Sequence, residues 1–186
     1  AIAGNPNAGK TTIFNRLTGA RQRVGNYPGV TVEWKQGLRR SRDADLRLVD
    51  LPGTYSLTTL TDEELVARDY LLRRAPDVVV QVLDASNLAR NLYLTMELLE
   101  LDVPLILALN MRDVAERQGR RIDADALAAR LGVPVVPVVG TRGEGLDDLE
   151  RAIVAAERRA PRRIALGPAV EAGITVIAAM LDEGGH

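Results

Sequence analysis

Near its start the chain reads Gly4-Asn5-Pro6-Asn7-Ala8-Gly9-Lys10-Thr11, and no other stretch constrains its folding as much. The run fits the pattern Gly, four residues, Gly-Lys-Ser/Thr without a mismatch. Glycine at both ends lets the backbone take conformations that a Cβ forbids, so the loop can curl and aim successive N–H groups at an anion. A helix starting where the loop ends adds its positive pole. Lys10 supplies a compact cation for β- and γ-phosphates, and Thr11 a hydroxyl for Mg²⁺. The competing reading is a Gly/Asn/Pro turn that fits by chance. The flanks argue against it. Ala1-Ile2-Ala3 reads as the end of a buried strand, and residues 11–17 read as a helix with Gly19 placed to end it.

A chain of 186 residues has room for one domain with a full core. Its formal net charge of −1 gives no reason to expect nucleic acid or an anionic membrane as partner. The absence of cysteine excludes disulfides, thiolate metal sites and thiol catalysis. The single histidine, His186, is the last residue and is assigned no chemistry. Lys10 and Lys35 are the only lysines in an arginine-rich chain, which makes a lysine at the loop position more informative. No run of about 18 apolar residues occurs, and no signal peptide is expected ahead of the motif. Because the sequence starts almost on the loop, a short upstream piece of the first strand is expected.

Residues 20–31 carry Gly, Asn and Pro and read as a loop. Residues 32–38 read as a strand, 39–43 as a polar hairpin turn, and 46–49 as the returning strand into Asp50. Residues 62–74 are expected to be helical, with Thr61 as N-cap and Asp62, Glu63 and Glu64 in the first turn. Continuous apolar runs at 78–83, 105–109 and 133–139 predict parallel strands covered on both faces. Helical stretches at about 87–102 and 123–131 separate them, and 146–160 forms a last helix. Asp147 and Asp148 suit that helix's first turn better than a catalytic pair. The expected fold is α/β: a mixed, mostly parallel sheet with helices on both faces, plus a C-terminal helical extension. In that extension Val170, Ile174, Ile177 and Leu181 fall on one helical face.

A phosphate loop does not name the base. Asn110-Met111-Arg112-Asp113 follows the apolar run 105–109, at the carboxyl end of a strand, where such sheets bind ligands. A carboxylate at Asp113 can accept from guanine N1–H and N2–H₂, a donor pair that adenine lacks. Asn110 would tie this loop to the phosphate loop. A helix N-cap is the alternative. Gly140-Thr141 follows the next strand, and a backbone N–H at Gly140 would meet guanine O6. Asp50-Leu51-Pro52-Gly53 ends another strand: Asp50 can hold Mg²⁺ through a water, and the Gly53 N–H can touch a γ-phosphate. The alternative there is an ordinary Asp/Pro/Gly turn. Thr31, within Gly29-Val30-Thr31, is the candidate to close on Mg²⁺ when triphosphate is bound.

These elements stand in the order and spacing of a guanine-nucleotide-binding domain. The chain resembles the cytoplasmic G domain of the ferrous iron transport protein B (FeoB) family. The resemblance is carried by Gly4-Asn5-Pro6-Asn7-Ala8-Gly9-Lys10-Thr11-Thr12, Asn26-Tyr27-Pro28-Gly29-Val30-Thr31-Val32-Glu33, Asp50-Leu51-Pro52-Gly53-Thr54-Tyr55-Ser56-Leu57 and Asn110-Met111-Arg112-Asp113. Met111, where Ras-like proteins have lysine, is typical of that family. The resemblance covers residues 1 to about 160, a P-loop GTPase domain of the Ras-like type. It implies GTP/GDP and Mg²⁺ binding, slow GTP hydrolysis, and attachment to a membrane-spanning Fe²⁺ permease of the same full-length protein. The chain would then be the cytoplasmic domain of an inner-membrane protein. In that family a helical domain follows the G domain, so residues 161–186 are expected to be its start or a docked C-terminal helix.

Ras-like enzymes orient the attacking water with a glutamine just after Asp-x-x-Gly. Thr54 holds that position here and cannot do the same job. Resemblance to potassium-activated GTPases implies that the Asn7 carbonyl helps hold a K⁺ along the phosphates, where it would offset developing charge. The competing role for Asn7 is tolerance of the loop's backbone geometry. Lys10, Thr31, Gly53 and Asn7 are thus the expected catalytic group. Hydrolysis would either drive iron uptake or reset a switch, and the missing glutamine favours the switch. A soluble GTPase of ribosome or tRNA maturation is the alternative, against which the near-neutral charge weighs.

Overall fold

The three apolar runs form one side of a seven-stranded sheet, seen in a computed structural model that describes residues 1–19, 22–27, 31–40, 44–58, 61–101 and 103–156. The strands are β1 (Ile2–Gly4), β2 (Gln22–Asn26), β3 (Glu33–Arg40), β4 (Asp45–Asp50), β5 (Val79–Asp84), β6 (Leu105–Asn110) and β7 (Val135–Pro137). Their order across the sheet is β2-β3-β4-β1-β5-β6-β7. β1 runs parallel to both β4 and β5, and β5, β6 and β7 are parallel in turn. β2, β3 and β4 form an antiparallel meander at one edge. The sheet is mixed and mostly parallel about its centre, as expected.

Alternation along the strands explains why they read as unbroken apolar runs. Val80, Val82, Ile106 and Ala108 face one layer, packed on Ile13, Phe14 and Leu17 of α1 (Lys10–Thr18) and Leu149 and Ile153 of α6 (Leu146–Ala156). Val79, Leu83, Leu105, Leu107 and Leu109 face the other. There they meet Ala67 and Leu71 of α2 (Asp62–Arg74) and Leu94 and Leu98 of α3 (Leu88–Glu100). A strand buried on both faces has no polar side to show. Two further helices, α4 (Arg112–Arg117) and α5 (Ala124–Leu131), lie on the α3 side of the sheet. Among the described residues no helix is long and apolar enough to cross a membrane.

The helix ends follow local chemistry. Thr61 caps α2 by accepting from the Glu64 N–H at 3.2 Å. Gly19 takes φ 60° and its N–H closes α1 on the Asn15 carbonyl at 2.9 Å. Asp147 and Asp148 sit in the first turn of α6, where the helix dipole favours carboxylates.

Several boundaries differ from the sequence reading. Residues 22–26 are not loop: β2 pairs with β3 from Gln22↔Gly37 to Asn26↔Glu33. Arg39 and Arg40 continue β3 instead of turning. The run 133–139 yields a strand of only three residues, because Pro134 and Pro137 have no N–H to give a ladder. A 3₁₀ turn, Ala85–Asn87, precedes α3, with the Asp84 carboxylate accepting from the Ser86 N–H. The expected turn residues 41–43 and helix residues 157–160 lie outside the described residues, as do Gly29, Val30 and the face of Val170, Ile174, Ile177 and Leu181.

Candidate functional site

β1 is where strand order reverses, with β4 on one side and β5 on the other. The crevice at the carboxyl end of such a strand is where doubly wound sheets take ligands, and the loop from Gly4 to Gly9 emerges there. Two of its glycines are obligatory. Gly4 has φ 147°, and a Cβ would stand 2.6 Å from the Val82 carbonyl oxygen. Gly9 has φ 90°, and a Cβ would stand 2.2 Å from Asn110 Nδ2. Asn7 is also left-handed, at φ 66°, which asparagine tolerates better than most residues.

Beneath the loop, Lys10 and Thr11 converge on one carboxylate. Lys10 Nζ donates to Asp50 Oδ1 at 2.6 Å, and Thr11 Oγ1 donates to Asp50 Oδ2 at 2.8 Å. The lysine and aspartate side chains are 10% and 5% exposed. β4 delivers Asp50 here because it is the strand's last residue, in register with Ile2 of β1. The Thr11 hydroxyl and Asp50 carboxylate form a pair of hard oxygens at the mouth of an anion loop, a donor set that fits Mg²⁺. Gly53 lies against the loop: a Cβ there would come within 3.1 Å of Pro6 Cα. A cleft of about 530 Å³ is lined by Asn5, Pro6, Asn7, Gly9, Lys10, Thr11, Thr12, Gly53 and Met111. Ala8 is buried behind it.

Thr54, at the position of the Ras-like glutamine, turns away from this cleft. Its side chain is enclosed and its hydroxyl donates to the Ser56 carbonyl at 2.5 Å, while its N–H donates to the Gly4 carbonyl at 3.2 Å.

Asn110 joins three segments. Its Nδ2 donates to the Ala8 carbonyl at 2.9 Å and its Oδ1 accepts from the Gly140 N–H at 2.9 Å. The tie to the phosphate loop is as expected. The tie to Gly140 corrects the expectation for that residue: its N–H is spent on Asn110 and does not point at a ligand. The Thr141 carbonyl, next along, is held by the Arg16 guanidinium of α1. Met111 takes φ 59° and starts α4. Its side chain reaches over Gly9, while Asp113 stands in the helix's first turn beyond it. The Asp113 side chain is 26% exposed, with Arg117 at 3.5 Å from Oδ2. Asp113, Gly140 and Thr141 therefore sit outside the lining of the phosphate cleft, on its Met111 side.

Thr31 is not brought to Thr11 or Asp50. It is exposed at the tip of the β2–β3 hairpin, whose base is closed by the Tyr27 N–H on the Val32 carbonyl at 2.9 Å. Tyr27 itself is a further anchor for this tip. Its hydroxyl is buried with no hydrogen-bond partner among the described residues, and burial pushes the phenol up to about 12. Burial also raises the Tyr70 phenol. A raised phenol pKa means that the fold favours the protonated form, so this stability is complete below pH 10 and declines as pH rises from about 10 towards 12. Urea midpoints at pH 8 and pH 11 should therefore fall further for wild type than for Tyr27→Phe.

Residues that the sequence motifs did not single out also reach this region. Glu97 of α3 accepts from Ser56 Oγ and the Leu57 N–H, and the Arg90 guanidinium stands 3.9 Å from the centre of the Tyr55 ring. The signal available in the sequence was a carboxylate flanked by the apolar Leu94 and Leu98 on α3.

The family model described as ferrous iron transport protein B matches residues 1–153. The Fe(2+) transporter FeoB of Salmonella typhimurium is 59% identical over 156 residues, which is 82% of this chain and 20% of that protein. Its Shigella flexneri counterpart is 58% identical over the same shares. The chain thus spans about a fifth of the length of these relatives. Among solved structures, the cytosolic domain of T. maritima FeoB in apo form has a TM-score of 0.88 and 42% identity, covering 100% of this chain and 74% of that one. Its GMPPNP form gives 0.87 and 41% over 100% and 74%. A GDP-bound mutant of S. thermophilus NFeoB gives 0.85 and 44% over 97% and 70%.

Proposed function

Because the chain belongs to the ferrous iron transport protein B family, we propose that it binds guanine nucleotide and slowly hydrolyses GTP to GDP and phosphate. The observation that carries this reading is the meeting of Lys10 Nζ and Thr11 Oγ1 on the two oxygens of buried Asp50, directly under the loop. Residues 4–12 would hold the phosphates. Asp113 would accept from the guanine edge, with Asn110, Met111 and the Gly140-Thr141 turn shaping the base pocket.

On binding, Lys10 turns from Asp50 to the β- and γ-phosphates, and the Gly53 N–H meets the γ-phosphate. Thr11, Asp50 and Thr31 would hold Mg²⁺, which would supply positive charge to offset that of the phosphates. Water then adds to the γ-phosphorus, the bond to the β-phosphate oxygen breaks, and that oxygen leaves with the electron pair. Lys10 draws the charge. With Thr54 turned inward, nothing at that position orients the water, which makes turnover slow. Asn7 would offer a side-chain carbonyl oxygen to K⁺, which would offset developing negative charge. Within the full-length protein, this region acts on the cytoplasmic side of a membrane permease for Fe²⁺. Nucleotide state sets the permease and hydrolysis resets it.

Phosphate release from GTP tests the reading. Wild type is expected to turn over slowly, faster in K⁺ than in Na⁺, and Asn7→Ala should lose the difference between salts. Equal rates in both salts for wild type would remove the K⁺ role. No release above the GTP blank would remove the hydrolase reading.

A further inference from the structure

The segment after Gly53 cannot follow a nucleotide on its own, because α3 holds it. Ser56 Oγ donates to Glu97 Oε1 at 2.8 Å, and the Leu57 N–H donates to Oε2 at 2.8 Å. Around Ser56 the segment is folded on itself. The Thr54 hydroxyl donates to the Ser56 carbonyl, and the Thr58 N–H donates to Ser56 Oγ at 3.0 Å. Two turns earlier on the same helix, the Arg90 guanidinium covers Tyr55, and the Arg90 carbonyl accepts from Asn5 Nδ2 at 3.4 Å. One helix therefore grips both the phosphate loop and the segment that follows Gly53. The helix itself is fixed, since Leu94 and Leu98 beside Glu97 are fully buried.

We propose that Glu97 is a positioning residue that latches residues 54–58 to α3 and so biases the site against the triphosphate form. The inference rests on the guanine-nucleotide reading above. A γ-phosphate met by the Gly53 N–H pulls on a backbone that, three and four residues later, is tied to Glu97. Binding triphosphate therefore works against the latch, and binding diphosphate does not. The carboxylate suits this role because its two oxygens serve two donors from successive residues, and both hydrogen bonds are charge-assisted. Glutamine would keep the latch, accepting from the Leu57 N–H with its carbonyl and donating to Ser56 Oγ with its amide. Alanine removes both bonds.

The test is the ratio of GDP to GMPPNP affinities, measured by calorimetry with Mg²⁺ for wild type, Glu97→Ala, Glu97→Gln and Ser56→Ala. Glu97→Ala should shift the ratio towards GMPPNP by about fivefold or more, within the usual range of coupling between sites. Glu97→Gln should stay within about twofold of wild type. Ser56→Ala keeps the Leu57 bond and should shift about twofold in the same direction. It decides the matter if Glu97→Ala does not fold. Loss of a merely structural contact would weaken both nucleotides alike. An unchanged ratio, or a shift towards GDP, with GDP still bound would overturn the latch and leave the guanine reading intact. If wild type bound neither nucleotide, the guanine reading would fail and take the latch with it.

Discussion

Replacing Lys10 with methionine should lower GDP affinity about 100-fold and also lower the melting temperature by roughly 10 °C. The two effects have separate causes. In the proposed nucleotide complex the ammonium would make charge-assisted bonds to phosphate oxygens, each worth about 1.5–3 kcal/mol, and 1.4 kcal/mol is a factor of ten in affinity. In the free protein the same ammonium neutralises Asp50 at 2.6 Å, and both side chains are almost wholly buried. Removing one partner of a buried pair typically costs about 3–5 kcal/mol, because the remaining charge is stranded. In a chain of this size each kcal/mol is worth about 2–4 °C. Methionine keeps the apolar stem, so packing changes little. The double variant Lys10→Met with Asp50→Asn separates the effects. It should regain most of the lost melting temperature and none of the affinity, since the stranded charge is gone and the phosphate ligand is still missing. Differential scanning calorimetry and nucleotide titration on the three proteins check both parts.

Asp113→Asn should lower guanine nucleotide affinity about 1,000-fold or more while leaving stability within about 1 kcal/mol of wild type. Sites built to pair a ligand's polar edge reject the mismatched edge by large factors, because buried groups are left unpaired. On the proposed reading the carboxylate would present two acceptors to guanine N1–H and N2–H₂. An amide presents one acceptor and one donor, and the donor collides with N2–H₂. The same amide matches xanthine, which has a carbonyl at C2, so XDP should bind the variant better than GDP does. The fold should hardly notice. Asp113 is partly exposed, and its ion pair among the described residues is the i,i+4 contact with Arg117 at 3.5 Å, a kind of contact worth about 0.3–0.5 kcal/mol. Titration of wild type and variant with GDP and XDP, alongside their melting curves, checks this.

The parts of the site that were legible in the sequence are those whose chemistry is local. A phosphate loop needs glycine where the backbone goes left-handed and a lysine one step later, so Gly4, Gly9 and Lys10 stand adjacent in the chain as they do in space. Asp50 and Asn110 were legible because each is the last residue of a strand, and the ends of parallel strands gather at one edge. β2 was not legible. Gln22–Asn26 contains Gly25 and Asn26, alternates poorly, and is a strand only because β3 lies beside it. Trp34 shows the same dependence: it pairs with Gly25, where a Cβ would meet the indole at 2.9 Å. The Gly140 N–H was misassigned because its partner, Asn110, lies 30 residues away and is fixed by sheet register. Glu97 was missed for the same reason. On α3 it is one of two carboxylates, with Glu100, and only the packing of the helix against residues 56 and 57 gives it its partners.

The most direct measurement is a calorimetric titration of the purified chain with GDP and with ADP in the presence of Mg²⁺. A loop of amides with Lys10 beneath it, read together with a carboxylate at Asp113, requires GDP to bind at one site and ADP to bind at least about 100-fold more weakly. Equal binding of the two, or binding of neither, would contradict it.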